Sequence, residues 1–186
     1  MIREKIEAIL GNINYKQIGI LTSTLDPMHV THELMARNTI KGQARGEFLN
    51  DAVFVYINNA NSLKKPSPYE DRRKIALNFI GDGLYLLDVD PDFGPKNLID
   101  KLIEEKVNIT RILGIDRLNE AVKDNPSLTY FVHLPGMVRP VSSNIDVRSS
   151  DLRSGKTGFD KMYDDVKPII MKNYPDARFL SDSLKR

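Results

Sequence analysis

Residues 52–57, Ala-Val-Phe-Val-Tyr-Ile, form an almost continuous apolar run between Asp51 and Asn58. A strand with one solvated face alternates apolar and polar side chains, whereas a strand that is apolar throughout is covered on both faces. That requirement selects a parallel sheet, because the crossover segments that join parallel strands also cover its faces. The preceding sequence supplies such a crossover. Ile18, Ile20 and Leu21 suit a buried strand, and the spacing of Val30, Leu34 and Met35 predicts a helix from about Met28 to Ile40. A βαβ unit therefore closes on the 52–57 run.

The alternation continues. Strands are expected at Leu84 to Val89, Val107 to Gly114 and Leu128 to Leu134, and helices at Tyr69 to Ile80, Lys96 to Glu105 and Arg117 to Lys123. An amphipathic helix, Ile2 to Leu10, precedes the first strand, and another, Phe159 to Tyr174, follows the last. The chain has 186 residues, enough for one globular domain and crowded for two, and no internal repeat is visible. The expectation is an α/β protein: a single Rossmann-like domain over residues 1–186, with a parallel sheet of about five strands and helices on both faces.

Composition excludes several classes of function. The 27 basic and 25 acidic residues nearly balance, and no block of like charge suggests a nucleic-acid arm. The absence of cysteine excludes a disulfide scaffold and a thiolate metal site. Met1 to Leu10 is charged throughout, unlike a signal sequence, and no apolar run approaches membrane-spanning length. A cytoplasmic protein without nucleic-acid or membrane partners is expected, and a homo-oligomer is left open.

The chemistry concentrates where the first strand ends. Thr22, Ser23, Thr24, Asp26 and Pro27 mark a tight strand-to-helix turn, followed by His29 and His32 at spacing i, i+3. A histidine near a helix start is commonly a cap or a surface residue. Here two of the chain's three histidines fall within four positions, behind a proline and after a buried strand. If the helix opens near Met28, both imidazoles lie at its amino-terminal end, where free N–H groups and the helix dipole favour a phosphate. Zinc fits poorly, because the third histidine, His133, is distant in sequence and catalytic zinc usually takes three protein ligands. His133 reads instead as a satisfied core or rim histidine. Lys64 and Lys65, in the polar loop after the second strand, suit a solvated turn and a phosphate contact equally.

Thr24-Leu25-Asp26-Pro27-Met28-His29-Val30-Thr31-His32 resembles the signature of the His-x-x-His nucleotidyltransferase superfamily. Within it, the nicotinate or nicotinamide mononucleotide adenylyltransferases read Gly-Gly-Ser/Thr-Phe-Asp-Pro-x-His-x-Gly-His. Thr22 and Ser23 stand where that family has paired glycines, and Thr31 where it has the glycine between the histidines. Val147-Arg148-Ser149-Ser150-Asp151-Leu152-Arg153 is similar to the second signature, Ile-Ser-Ser-Thr-x-Ile-Arg. Gly114-Ile115-Asp116 resembles the family's Gly-x-Asp. Asn61 to Lys65 with Glu70-Asp71-Arg72-Arg73 resembles its Pro-His-Lys segment and following helix arginine, without the histidine. Pro95 and Asp100-Lys101-Leu102 fit the frame of a Pro-Ser-Tyr-Thr-x-Asp-Thr-Leu helix, with Lys96, Asn97 and Leu98 replacing the Ser-Tyr-Thr near the pyridine nucleotide.

The resemblance implies adenylyl transfer from ATP to nicotinate or nicotinamide mononucleotide with release of pyrophosphate, a step in NAD biosynthesis. It implies His29, His32 and Arg153 as catalytic residues, and Thr24, Lys64 or Lys65, Arg72, Ser149 and Ser150 on the ATP phosphates. Asp116 would hold a nucleotide ribose or the acceptor, although it equally suits a helix cap. Magnesium would be held mainly through the ATP phosphates, with no dedicated protein ligands. Two other readings stay open: a related adenylyl- or cytidylyltransferase with another phosphorylated acceptor, such as phosphopantetheine, and a nucleotide-binding module without turnover.

Overall fold

In the computed structural model, which describes residues 1–43, 50–59, 65–133, 153 and 167–174, the apolar run becomes β2 (Ala52–Ile57), buried along its whole length. It lies beside β1 (Ile18–Ser23), and β3 (Leu84–Leu86), β4 (Ile109–Gly114) and β5 (Thr129–His133) complete one sheet. The five strands run in the order β3-β2-β1-β4-β5 with every neighbouring pair parallel. The helices are α1 (Ile2–Leu10), α2 (Val30–Arg37), α3 (Tyr69–Leu77), α4 (Gly94–Glu104), α5 (Leu118–Asp124) and α6 (Lys167–Asn173).

The period of two along β2 divides the core. Val53, Val55 and Ile57 point to the layer of α2, α3 and α6, where they meet Met35, Ala36, Ile75, Ala76 and Ile170. Ala52, Phe54 and Tyr56 point to the layer of α1 and α4, against Ile2, Ile6, Leu10, Leu98, Ile99 and Leu102. Helices thus cover both faces, and the architecture is the expected Rossmann-like one. Among the described residues no helix is long and apolar enough to cross a membrane.

Several boundaries differ from the sequence reading. The helix after β1 opens at Val30 rather than near Met28 and stops at Arg37. β3 is shorter than Leu84 to Val89, because the Val89 N–H turns back to the Leu87 carbonyl at 3.1 Å instead of pairing with β2. A 3-10 turn, Ile115–Arg117, precedes α5. Of the last predicted helix, residues 159–166 lie outside the described residues.

Gly19, in the middle of the sheet, is required by close packing. A Cβ there would stand 2.8 Å from Asn50 Nδ2, Val53 Cγ2 and Ile112 Cδ1, so three neighbours from three directions would have to move. Gly19→Ala is expected to cost about 1–3 kcal/mol, as overpacking does. Urea denaturation should show this as a lower midpoint with an unchanged slope.

Candidate functional site

Ligand crevices of open parallel sheets form outside the carboxyl ends of the strands where the strand order reverses. Here that place is the end of β1, which has β2 on one side and β4 on the other. Thr22 and Ser23 stay in the regular ladder, opposite Tyr56 and Ile57, so neither position needs a glycine's backbone freedom. The sharp bend falls at Leu25, with φ at 47°, a left-handed conformation that costs an L-residue roughly 1–2 kcal/mol. Burial of the Leu25 side chain in the core beside Met28 offsets this. The Asp26–Pro27 peptide is cis.

The turn delivers His29 as the amino-terminal cap residue of α2, in extended conformation, and His32 in the first turn. The two rings stack with centroids 3.9 Å apart. The His29 backbone N–H donates to His32 Nδ1 at 3.3 Å, which leaves Nε2 as the proton-bearing nitrogen of His32. His29 is buried, and its Nδ1 has no hydrogen-bond partner among the described residues. Burial, with a smaller repulsion from His32, pushes the His29 imidazole well below its ordinary value. Burial, with repulsion from His133, pushes His32 down to about 4. Both rings are therefore neutral near pH 7. An anion placed against them would favour their protonated forms.

The loop before the histidines is held by one buried cation. Arg72 of α3, 1% exposed, donates from Nε to the Ser67 carbonyl at 2.8 Å and from Nη1 to the carbonyls of Thr24 (2.8 Å) and Asn58 (3.0 Å). Its Nη2 donates to Asn59 Oδ1. Burial lowers the Arg72 pKa, and the nearby Asp26 carboxylate opposes that shift. Asp26 in turn accepts from the Ser67 N–H at 3.1 Å and from the Tyr174 hydroxyl. Arg153, 127 residues further along, donates from Nη1 to the Asp26 carbonyl at 2.5 Å, and its guanidinium lies 5.7 Å from the centre of the Tyr174 ring.

The predicted residues are thus brought together in part. His29, His32, Thr24, Arg72 and Arg153 share one loop system, with Arg72 directed into backbone carbonyls. Lys65 is exposed in the approach to α3. Asp116 lies exposed in the 3-10 turn and caps neither that turn nor α5. Its Oδ1 would be 2.7 Å from a Cβ on Gly114, so the carboxylate folds back over the end of β4. Lys64, Ser149 and Ser150 lie outside the described residues. Among the described residues no group of three or more His, Asp or Glu side chains is placed to hold a metal ion. A shallow depression of about 610 Å³ lined by Glu33, Arg37 and Asp82 lies away from the histidines, at the other end of α2.

Two participants had no weight in the sequence reading. Tyr174 carries no local signal, since its partner Asp26 is 148 residues away. His133, paired with Gly114 at the carboxyl end of β5, is buried close enough to His32 to shift it. Its place just before Pro135-Gly136, at the end of a parallel strand, was the available clue.

Two structures of Plasmodium falciparum nicotinic acid mononucleotide adenylyltransferase are similar to this chain. The complex with NaAD matches with a TM-score of 0.61 and the complex with APC with 0.56, each at 13% sequence identity over 85% of this chain and 96% of that one. The likeness establishes the fold. No family model and no curated protein sequence matches the chain.

The geometry makes two predictions. Arg72→Lys keeps a charge but loses the fork, leaving buried carbonyls unsatisfied, so about 2–4 kcal/mol of stability should be lost in denaturant titrations. The second concerns pH. An imidazole whose folded pKa is depressed contributes stability that is complete above its ordinary 6.5 and is lost as pH falls through that value toward about 4. Unfolding free energies measured from pH 7.5 down to pH 4 should therefore fall. In His32→Asn the fall should be shallower, and an unchanged slope would remove His32 as its source.

Proposed function

We propose that this protein is a nucleotidyltransferase that moves AMP from ATP to nicotinate or nicotinamide mononucleotide, in NAD biosynthesis. The observation that carries the reading is the stacked pair His29 and His32 at the amino end of α2, with a buried Nδ1 on His29 that has no partner among the described residues. Free amides, the positive end of the helix dipole and two neutral imidazoles together suit a phosphate. The fold shared with an adenylyltransferase and the approach of Arg153 to the same loop support it.

In the proposed reaction an oxygen of the acceptor phosphate attacks the α-phosphorus of ATP. The bond from that phosphorus to the oxygen bridging the α- and β-phosphates breaks, and pyrophosphate leaves. No protein nucleophile is needed, so alignment of the two phosphates and neutralisation of the developing charge would supply the catalysis. His29 and His32 would hold ATP phosphates and take up protons as the charge arrives. Arg153, with Ser149 and Ser150, would serve the β- and γ-phosphates, with Thr24 at the same turn and Lys64 or Lys65 beside them. Arg72 would act through the loop it pins, and Asp116 on a ribose or the acceptor. Magnesium would enter on the phosphate oxygens and water, with no described residue assigned to it.

A second reading concerns the acceptor. Leu98, which stands where the resembling family places a residue near the pyridine nucleotide, is fully buried in the core of α4. A different phosphorylated acceptor is consistent with that. Purified protein with ATP, magnesium and either mononucleotide, or phosphopantetheine, should release pyrophosphate with one acceptor, and His29→Ala should reduce the rate at least about hundredfold, as loss of a positioned charge-stabilising donor does. Tight ATP binding without release on any acceptor would instead favour a binding module.

A further inference from the structure

The last described helix reaches back to the first loop of the site. α6 docks on α3 through Asp71, whose Oδ2 accepts from Lys172 Nζ at 3.2 Å and from Asn173 Nδ2 at 3.0 Å. Ile170 fills the core beneath it. This fixes Tyr174, just past the end of α6, in a half-buried position between two groups that come from opposite ends of the chain. Its hydroxyl donates to the Asp26 carboxylate, and its ring lies against the Arg153 guanidinium. The same Arg153 donates to the Asp26 carbonyl, so Tyr174, Asp26 and Arg153 form a closed triangle.

Such a triangle has a physical consequence. Arginine has many rotamers, and its head is directed only if something restrains the stem and the plane. Tyr174 provides an aromatic face for that plane, and the Asp26 carbonyl takes one of its N–H groups. The same tyrosine holds the turn that presents His29 and His32, because Asp26 is three residues before His29. Burial and the bond to Asp26 keep its hydroxyl protonated, hence a donor.

We infer that Tyr174 is a positioning residue for the transfer step: it sets Arg153 and the Asp26 turn in one geometry, so that the arginine and the histidines address the same polyphosphate. The inference rests on the nucleotidyl-transfer reading. It assigns Tyr174 no contact with substrate.

The test is a double-mutant cycle in the full chain, with ATP, magnesium and whichever mononucleotide supports turnover. Tyr174→Leu should lower kcat and kcat/KM together by about tenfold to hundredfold, as misplacement of a group that acts in the transition state does. Tyr174→Phe keeps the ring and loses only the Asp26 bond, so its loss should be smaller. In an Arg153→Ala background Tyr174→Leu should cost several-fold less than it does in the wild type, since the arginine is gone and only the Asp26 turn is left to misplace. A multiplicative loss in the double mutant, or a rise in KM with kcat unchanged, would overturn the assignment. Thermal melts accompany the cycle, and if Tyr174→Leu does not fold, the cycle is run with Tyr174→Phe and Asp26→Asn, the two ends of the bond that Phe loses, where the loss from Tyr174→Phe should shrink in the Asp26→Asn background. An active wild type whose Tyr174 variants match it overturns the role of Tyr174 alone. A wild type that neither binds ATP nor releases pyrophosphate overturns the proposed function as well.

Discussion

A guanidinium withdrawn from water must find acceptors for its N–H groups, and the Arg72 head meets this with the carbonyls of Thr24, Asn58 and Ser67 and the side chain of Asn59. Those acceptors come from the loop after β1, the end of β2 and the approach to α3. The desolvation cost of one buried cation therefore ties three segments of the crevice together. Asp26 lies close enough to offset part of that cost and carries the restraint onward to Ser67 and Tyr174. The loop leading to the histidines is thus held by polar contacts to Arg72 and Asp26 as well as by the burial of Leu25 and Met28.

The histidine pair stands at the end of that loop. Two imidazoles 3.9 Å apart would repel strongly if both were charged, and burial beside His133 makes charge costlier still. The protein keeps them neutral, with His32 Nδ1 used as acceptor for the His29 amide. Charge is thereby deferred. Protonation becomes favourable when an anion occupies the helix terminus, so ligand binding and proton uptake would be coupled at this site. Around it, the parallel sheet supplies the platform, and α6, the last described helix, lies on the same layer as α2 and α3.

The fold was legible to different depths along the chain. The apolar run at Ala52–Ile57 and the helix at Ile2–Leu10 announced themselves because burial on both faces, or on one helical stripe, writes directly into residue order. The end of β3 did not, since Val89 looks like any strand residue until its N–H turns back to Leu87. At the site, spacing identified His29 and His32, and a hydroxyl-rich loop turning into a helix marked their surroundings. Thr22 and Ser23, which stand where the resembling family has paired glycines, stay in the ladder, and the chain bends at Leu25. For Arg72 the resemblance implied a phosphate contact, whereas its N–H groups are directed mainly into backbone carbonyls.

By itself the sequence determined the class of fold and singled out the histidine pair of the candidate site, because both depend on local order: apolar periodicity for the sheet and helices, and two histidines at one strand-to-helix turn. Tertiary structure alone decided which distant groups converge there. Asp26 and Tyr174 are separated by 148 positions and Asp26 and Arg153 by 127, and no periodicity links such pairs. The packing of α6 on α3 brings Tyr174 to Asp26, a property of the folded volume that the order of residues does not display.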